Sequence, residues 1–518
     1  MRRQDIQLLA SARQGDAAAR CEVGRRYLLG IDGFPRHIAT GIEHLSHASV
    51  RDLPAAARIV AEHLALDDLL ELQQERPLSQ AAQAGSTVAQ LKLGAWECAR
   101  RARAADGLHW LKSAAAGGDE GARRALSHAT RGQPDAEPSA LELLRALRDN
   151  AGIDTAAIAL IAARRAHAGD RFEDFIACLQ TALALAGGLS GELMELVAAA
   201  VRQAREQGRR LQGIEAEHLR ASLEQRANQG DRDAAYVLGL GLCGVADDTL
   251  GSAVFADSIN IRRGAAYLLR AADAGRDEAW LHLYRLHADH RLSVSNPQMA
   301  RFFLEKAATR GQSQAQRKLG ALMLRESSSL AESELAIHWL HQAASHGDAH
   351  AAELLSSLVL PVDGRAEDAL PAIEQIRRSD PWLAVRLQLS RTFGLTKLEA
   401  LCVDPAAGLR PWGLVVGKNP FISQSRLSAP RAIPATSEGA LVIAREAASF
   451  FGQARRDTLA IEGDLRRRSL RQRRAFERLG LDEAMFFATA SSTTLESLRL
   501  GPKWAFRAKQ PLRMALAA

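Results

Sequence analysis

The stretch GAAYLLRAADAGRDEAWLHL, residues 264–283, returns twice farther along the chain in altered form. Its copies are ARFFLEKAATRGQSQAQRKL at 300–319 and AIHWLHQAASHGDAHAAELL at 336–355, each displaced by 36 residues. Earlier copies share the motif A-x-x-G-x-x-x-A-x-x-x-(L/V), and the glycines of all seven copies are Gly15, Gly85, Gly118, Gly230, Gly275, Gly311 and Gly347. A fixed period over several positions indicates an array of repeated structural units.

Each copy has the chemistry of two helices joined by a short turn. Small and apolar residues such as Ala300, Phe303, Leu304 and Ala307 fall at i, i+3, i+4 and i+7, one face of a helix. The glycine suits the left-handed position that ends a helix. In four copies an aspartate able to cap the next helix follows at once: Asp16, Asp119, Asp231 and Asp348. One such pair cannot bury its apolar face alone, so we predict an all-α chain of stacked pairs.

These units resemble Sel-one-like repeats, a branch of the tetratricopeptide-type α/α solenoids. The family stretch L-G-x-x-Y appears as VGRRY at 23–27, with Val in place of Leu. Its Leu-Gly half stands at 93–94, 238–239 and 319–320. The resemblance covers about 12–126 and 227–358. It implies a right-handed superhelical solenoid, and such solenoids serve as adaptors for other proteins.

The repeats and the composition predict four segments along the chain. They are N-terminal Sel-one-like repeats at 1–130, degenerate helical repeats at 131–220, Sel-one-like repeats at 221–360 and a mainly helical module at 361–518. The composition changes after Leu360, since eight of the sixteen prolines lie between Pro361 and Pro434. The spacing of 45 residues from Gly230 to Gly275 predicts an insertion around 245–260.

The module at 361–518 resembles no family that we recognise. We predict helices at 382–393 and 395–403, a single short strand at 413–417, an irregular loop at 421–434, and a long helical pattern from about 436 to 479 that breaks at Gly452 or Gly463. Its apolar content is too high for a disordered tail. We expect it to dock on the last repeats, because the end of a solenoid exposes an apolar face that needs a cap.

The composition indicates a folded protein in a reducing compartment. The apolar fraction is 47%, and the five cysteines lie at least 65 residues apart, which excludes a disulfide framework or a CxxC metal pair. The basic start of the chain lacks the apolar core of a signal peptide. No stretch approaches the length of a membrane helix, so we expect no membrane insertion and a cytoplasmic protein.

Few residues carry the pattern of a catalytic or metal site. His338 and His341 are spaced i, i+3, but no Cys, Asp or Glu joins them at ligand spacing, and the register places His341 on the exposed side. The sequence lacks GxxxxGK(S/T), HExxH and GxSxG. Cys402 has no nearby histidine, which favours a buried structural thiol. We therefore predict no catalytic residue, no metal and no cofactor, and expect a protein that is not an enzyme.

The segment 455–478 is the most basic part of the chain, with nine arginines and four acids, a local net charge of +5. On a helix, Arg467, Arg471, Arg474 and Arg478 fall at i, i+4, i+7 and i+11 and form one stripe. Arginines in a stripe can bind phosphates or carboxylates in bidentate fashion. A solvated helix face is the alternative interpretation. We expect the stripe to face solvent.

Three classes of function stay open on these grounds. The first is an adaptor or scaffold whose solenoid surface binds a protein partner. The second is a nucleic-acid-associated regulator, or a protein with an acidic partner, acting through the stripe. The third is an enzyme hidden in 361–518. The modest net charge of +7 over 518 residues does not by itself indicate nucleic acid.

Overall fold

A computed structural model describes residues 3–129, 138–245, 249–250, 255, 257–417, 430–453, 462–491, 494–495 and 506–517. The chain divides into two compact units, Met1–Ala274 and Gly275–Ala518. The predicted all-α solenoid with a mainly helical C-terminal module is confirmed. The finer division into four segments stays a prediction.

The first unit is built from helices alone within the described residues. They are α1 Arg3–Arg13, α2 Ala17–Leu29, α3 Ile38–Leu45, α4 Pro54–His63, α5 Leu66–Glu71, α6 Glu75–Gln83, α7 Thr87–Ala99, α8 Ala104–Ala116, α9 Glu120–Ala129, α10 Ala140–Leu147, α11 Thr155–Ala168, α12 Phe172–Leu185, α13 Gly191–Glu206, α14 Ala216–Asn228, α15 Arg232–Leu242 and α16 Ile261–Asp273. The insertion predicted around 245–260 therefore falls between α15 and α16.

The second unit adds a small sheet to its helices. Its elements are α17 Glu278–Ala288, α18 Pro297–Thr309, α19 Ser313–Glu326, α20 Leu330–Ser345, α21 Ala349–Ser357, α22 Ala366–Ser379, α23 Pro381–Phe393, α24 Lys397–Cys402, α25 Pro405–Gly408, β1 Leu409–Arg410, β2 Gly413–Val416, β3 Arg431–Pro434, α26 Glu438–Gln453, α27 Leu465–Leu479, a 3₁₀ turn Glu483–Met485 and α28 Phe506–Ala517.

The repeats form helix pairs, and we call the first helix of each pair the A helix and the second the B helix. The A–B pairs are α2–α3, α7–α8, α15–α16, α17–α18 and α19–α20, and α21 is one more A helix. The turn glycines of all seven copies have φ between 84° and 102°, as predicted. All four predicted aspartates accept hydrogen bonds from backbone N–H groups of the next helix. Local turn chemistry thus sets the length of each repeat.

Glycine also lets the two helices of a pair come very close. A Cβ added to Gly107 of α8 would lie 2.2 Å from the carbonyl oxygen of Gly94 on α7 and 2.4 Å from Sγ of Cys98. The side chain of Leu111, one turn further along α8, covers Gly94 in the same way. The Leu-Gly half of the repeat motif is therefore a packing site for the B helix.

The C-terminal module has more strand than the sequence predicted. The predicted strand at 413–417 is present as β2, but it pairs antiparallel with β1 on one side and with β3 on the other. The prediction of an irregular loop is wrong for 431–434, which form β3 in register with β2. Residues 421–429 of that predicted loop lie outside the described residues. Each strand has four residues or fewer, so periodicity gave no signal.

The long helical pattern is interrupted at one of the two predicted glycines. Gly452 lies within α26, whereas Gly463 has a φ of 71° and precedes α27. Gly480 ends α27 with a φ of 63°, as expected. Helices α22, α23, α24, α26 and α27 and strands β2 and β3 share one core that includes Phe393, Phe451 and Phe476.

The C-terminal module contacts the end of the repeat array, as predicted. Helix α28 packs on α19 and α21, and β3 contacts α20. Leu324 and Leu355 of the repeats share a buried cluster with Trp412 and Leu512 of the module. The apolar end of the array is thereby covered.

Candidate functional site

A cavity of about 450 Å³ opens in the first unit between α6, α7 and α11. Its lining combines charged and apolar side chains, namely Glu75, Ser79, Leu93, Trp96, Glu97, Arg100, Arg101, Ala162, Arg165 and Arg171. Four arginines face two glutamates, so the lining carries two excess positive charges. We call this the A-helix cavity, because the A helix α7 contributes Leu93, Trp96 and Glu97 to its lining.

Contacts within the lining fix some of these arginines and leave others available. Arg165 pairs with Glu75, and its guanidinium lies 5.3 Å from the ring of Trp96. Arg100 pairs with Glu97 at 3.0 Å, and Arg171 pairs at 3.0 Å with Asp174, outside the lining. Arg101 is exposed. Two sides of the cavity are therefore held in place, and an exposed cation stands at its edge.

The electrostatics of the cavity favour an anionic group. Burial raises the pKa of Glu97, with a further contribution from Asp106, while the charges of Arg100 and Arg101 lower it. A bound carboxylate would meet several guanidinium groups, the donors best suited to planar oxyanions. This cavity could not be predicted from the sequence, because its residues come from segments up to 96 positions apart, from Glu75 to Arg171.

The predicted arginine stripe lies on α27 and is only partly free. Arg467, Arg474 and Arg478 are exposed, and Arg478 donates to the Ser379 hydroxyl at 3.3 Å. The expectation that the whole stripe faces solvent is wrong for Arg471. That side chain is half-buried, donates to the Glu462 carbonyl oxygen and lies 3.7 Å from Asp380.

Two other arginines widen the exposed basic surface of α27. Arg466 and Arg473 are exposed beside the stripe, so five arginines of this helix reach solvent. Among the described residues of this segment, the exposed acids are Asp464, which caps the helix, and Glu477. We call the five arginines 466, 467, 473, 474 and 478 the α27 basic face.

Arg468, in contrast, belongs to a buried ion network that sequence reasoning missed. Its side chain is 6% exposed and lies 3.3 Å from Glu462, which pairs at 2.8 Å with Arg386. Arg386 donates to the carbonyl oxygens of Ala400 and Val403, and Arg468 donates to that of Leu401. These carbonyls end the short helix α24, so buried arginines take the place of the missing next turn.

A second buried pair holds the other end of α24. Arg431 of β3 and Glu399 of α24 are each 1% exposed and lie 2.8 Å apart. Burial raises the pKa of Glu399, but the hydrogen bonds and charge of Arg431 outweigh it and leave the pKa below its usual value. One signal was visible in the sequence, since Thr396 and Glu399 form a capping box.

The remaining candidates carry no chemistry of their own. His338 and His341 are both half-buried, not exposed as expected for His341, whose pKa is lowered by burial and then by His338. Within the described residues, no group of three His, Cys, Asp or Glu side chains is arranged to hold a metal. Cys402 is buried, which raises the pKa of its thiol. In the part of the chain that the structure describes, no helix could cross a bilayer.

Comparison with solved structures finds repeat proteins of distant sequence. One similar structure is c5321, a protective antigen present in uropathogenic Escherichia coli strains and displaying an SLR fold. It is 17% identical, with 68% of this chain and 74% of that chain covered and a TM-score of 0.28. Another is a Sel1 repeat protein from Oxalobacter formigenes, 18% identical, with 69% and 91% covered and a TM-score of 0.24.

No protein-family model matches the chain, and no curated protein matches it. Both matched structures are described as SLR or Sel1 repeat proteins, in agreement with the predicted resemblance to Sel-one-like repeats. The helix pairs themselves establish the architecture. The fold defines an α/α solenoid of paired helices followed by a mainly helical module.

Proposed function

We propose that the protein is a non-catalytic scaffold that binds a protein partner through its solenoid surface. The observation that carries the proposal is the A-helix cavity, with four arginines in a lining that also offers Trp96 and Leu93. An acidic side chain flanked by an apolar residue fits this combination of charge and apolar surface. Such a contact is specific, because a partner without the acidic group would bury an arginine of the cavity unpaired and would bind more weakly.

The proposal is tested by affinity capture from a lysate of the source organism, after nuclease treatment. Partners should remain bound to the wild-type chain. Arg101→Glu reverses one exposed charge of the cavity without breaking an internal ion pair, so recovery should fall about tenfold, which corresponds to ~1.4 kcal/mol. Arg202→Glu reverses an exposed arginine outside the lining and should leave recovery unchanged.

Two other outcomes of the capture would contradict the proposal. Equal recovery with Arg101→Glu and Arg202→Glu would exclude the A-helix cavity as the binding site. Loss of all partners on nuclease treatment would favour the second candidate over the scaffold.

The second candidate is a nucleic-acid-associated regulator, and the α27 basic face supports it. Five exposed arginines on one helix provide a cationic surface for phosphates. Phe476 of this helix, the aromatic residue that could stack on a base, is buried at 4% exposure. Binding through α27 would therefore depend on charge and not on base recognition. A cytoplasmic location stays a prediction for either candidate.

A further inference from the structure

The last helix of the chain occupies a groove between two A helices. Helix α28 lies on α19 and α21. Ala508, Leu512 and Ala515 are its buried residues, spaced i, i+4 and i+7 on one face. They share a cluster with Leu324 and Leu355 of the groove. We call this surface the α19–α21 groove.

Two cations of α19 meet the C-terminal end of α28. The Arg317 guanidinium donates to the Ala515 carbonyl oxygen at 3.1 Å, and the Lys318 ammonium donates to that of Leu516 at 3.3 Å. Arg317 is 5% exposed and pairs with Asp348 at 2.9 Å. Its other terminal nitrogen, Nη2, is buried without a hydrogen-bond partner among the described residues. The groove thus holds an unused donor beside the bound helix.

Helix α28 packs its apolar face into the groove, but three features of its sequence weaken its docking. Pro511 lies inside the helix, where it lacks the N–H group and disfavours helical backbone. The helix has only 12 residues, too few for stability on its own. Its sequence carries Arg507, Lys509 and Arg513 and no acid, so no side-chain carboxylate of this helix can pair with Arg317 and Lys318. It offers these cations neutral carbonyl oxygens where a carboxylate would bind more strongly.

We propose that α28 is a displaceable occupant, and that the α19–α21 groove binds an acidic amphipathic helix of a partner protein. That helix has small and leucine side chains at i, i+4 and i+7 and a carboxylate at its C-terminal end for Arg317 Nη2 and Lys318. The inference rests on the proposed scaffold function but uses residues distinct from the A-helix cavity. A groove of this kind recognises a helix through anchor side chains at helical spacing.

The test uses a labelled peptide and full-length protein. The probe has the sequence of residues 506–518 with Arg507→Glu, Lys509→Glu, Pro511→Ala and Arg513→Glu, and fluorescence anisotropy reports its binding. In the chain, Leu512→Asp should undock α28, and Pro511→Ala should strengthen its helix. Because an occupied groove reduces apparent affinity, we expect binding about tenfold tighter with Leu512→Asp and about tenfold weaker with Pro511→Ala than with wild type.

Three controls assign the effect to the groove. Leu470→Asp changes an exposed leucine of α27 and should bind the probe as wild type does. Adding Arg317→Gln to Leu512→Asp should reduce the gained affinity about tenfold, with folding checked by circular dichroism. The unmodified basic peptide 506–518 should bind more weakly than the probe to every variant.

Equal affinity across wild type, Leu512→Asp and Pro511→Ala would overturn the proposal, as would a complete lack of binding. Pro511→Ala keeps the test valid if Leu512→Asp unfolds. A concentration-dependent dimer in light scattering, abolished by Leu512→Asp, would also overturn it by assigning the groove to α28 of a second copy. If the peptide does not bind but partners are still captured and lost with Arg101→Glu, this inference is refuted and the scaffold function is retained. If the peptide binds as expected but no partner is captured from the lysate, the scaffold function is refuted and this inference is retained.

Discussion

Lys92 is a buried ammonium group that binds the end of another helix. Its side chain is 3% exposed, and Nζ donates to the carbonyl oxygens of Ala61 and Leu64, each at 2.7 Å. These carbonyls end α4. Burial lowers the pKa of Lys92 to about 8, an effect that Glu62 and Asp67 partly oppose. The residue therefore joins α7 to α4 at a cost in desolvation.

This cost makes the stability of the chain depend on pH. The folded pKa lies below the unfolded value of 10.5, so between about pH 8 and 10.5 the unfolded chain binds more protons. Stability should therefore rise with pH in that window relative to Lys92→Met, by up to ~3 kcal/mol. Urea unfolding at several pH values measures the difference. Lys112→Met, at an exposed lysine, should give a curve parallel to wild type, and a parallel curve for Lys92→Met would contradict the prediction.

Gly107 tests the close contact between the helices of a pair. An added Cβ would lie 2.2 Å from a backbone oxygen, which cannot move without separating α7 from α8. We expect Gly107→Ala to destabilise the protein by about 1–3 kcal/mol, despite the better helix propensity of alanine. Gly191→Ala, where nothing lies within 4 Å of the added Cβ, should be neutral or stabilising. Thermal unfolding compares the two variants. Equal midpoints would contradict the prediction, because they would show that α7 and α8 can move apart without loss of stability.

At the scale of elements, α24 is a six-residue helix held by arginines from distant parts of the chain. Arg386→Met removes the pair with Glu462 and two hydrogen bonds to the end of α24. Since it leaves a buried carboxylate with one arginine fewer, we expect a loss of about 3–5 kcal/mol. Amide hydrogen exchange should become faster at residues 397–403, while its rate in the repeats changes less. Arg473→Met, at an exposed arginine, is the control, and a loss below about 1 kcal/mol would contradict the prediction.

The elements that the sequence predicts well are those set by local chemistry. Glycine turns and aspartate caps depend on residues within one turn, so the helix pairs, a break at one of two glycines and the stop at Gly480 could be predicted. Strand β3 could not be predicted, because its pairing with β2 and the contact of Arg431 with Glu399 join segments far apart. Helical spacing likewise placed Arg471 on a stripe, whereas packing against Asp380 decides that it points inward.

At the scale of the whole molecule, positive charge occurs along the entire chain, but arginines cluster in a few places. The formal net charge is +7, and an anion is attracted most strongly where several cations lie close together. The α27 basic face and the A-helix cavity are two such places, one in each compact unit. Their chemistry differs, since the face is open to solvent and the cavity is partly enclosed. An anionic partner can thus be assigned to one or the other by mutation.

Binding of DNA separates local from overall charge. The first variant replaces three arginines of the face by Gln, namely Arg467, Arg474 and Arg478, and lowers the formal net charge from +7 to +4. The second variant lowers it by the same amount through Gln at three exposed arginines on separate helices, namely Arg145, Arg202 and Arg232. Arg471 is left in place because it holds α27 to Asp380. If the α27 basic face binds phosphates, only the first variant should lose affinity for a labelled duplex at low salt. The slope of log affinity against log salt should also fall by about 3, since each phosphate contact contributes about 0.9. Equal losses in the two variants would mean that overall charge drives binding, and unchanged binding in both would leave the face a solvated surface.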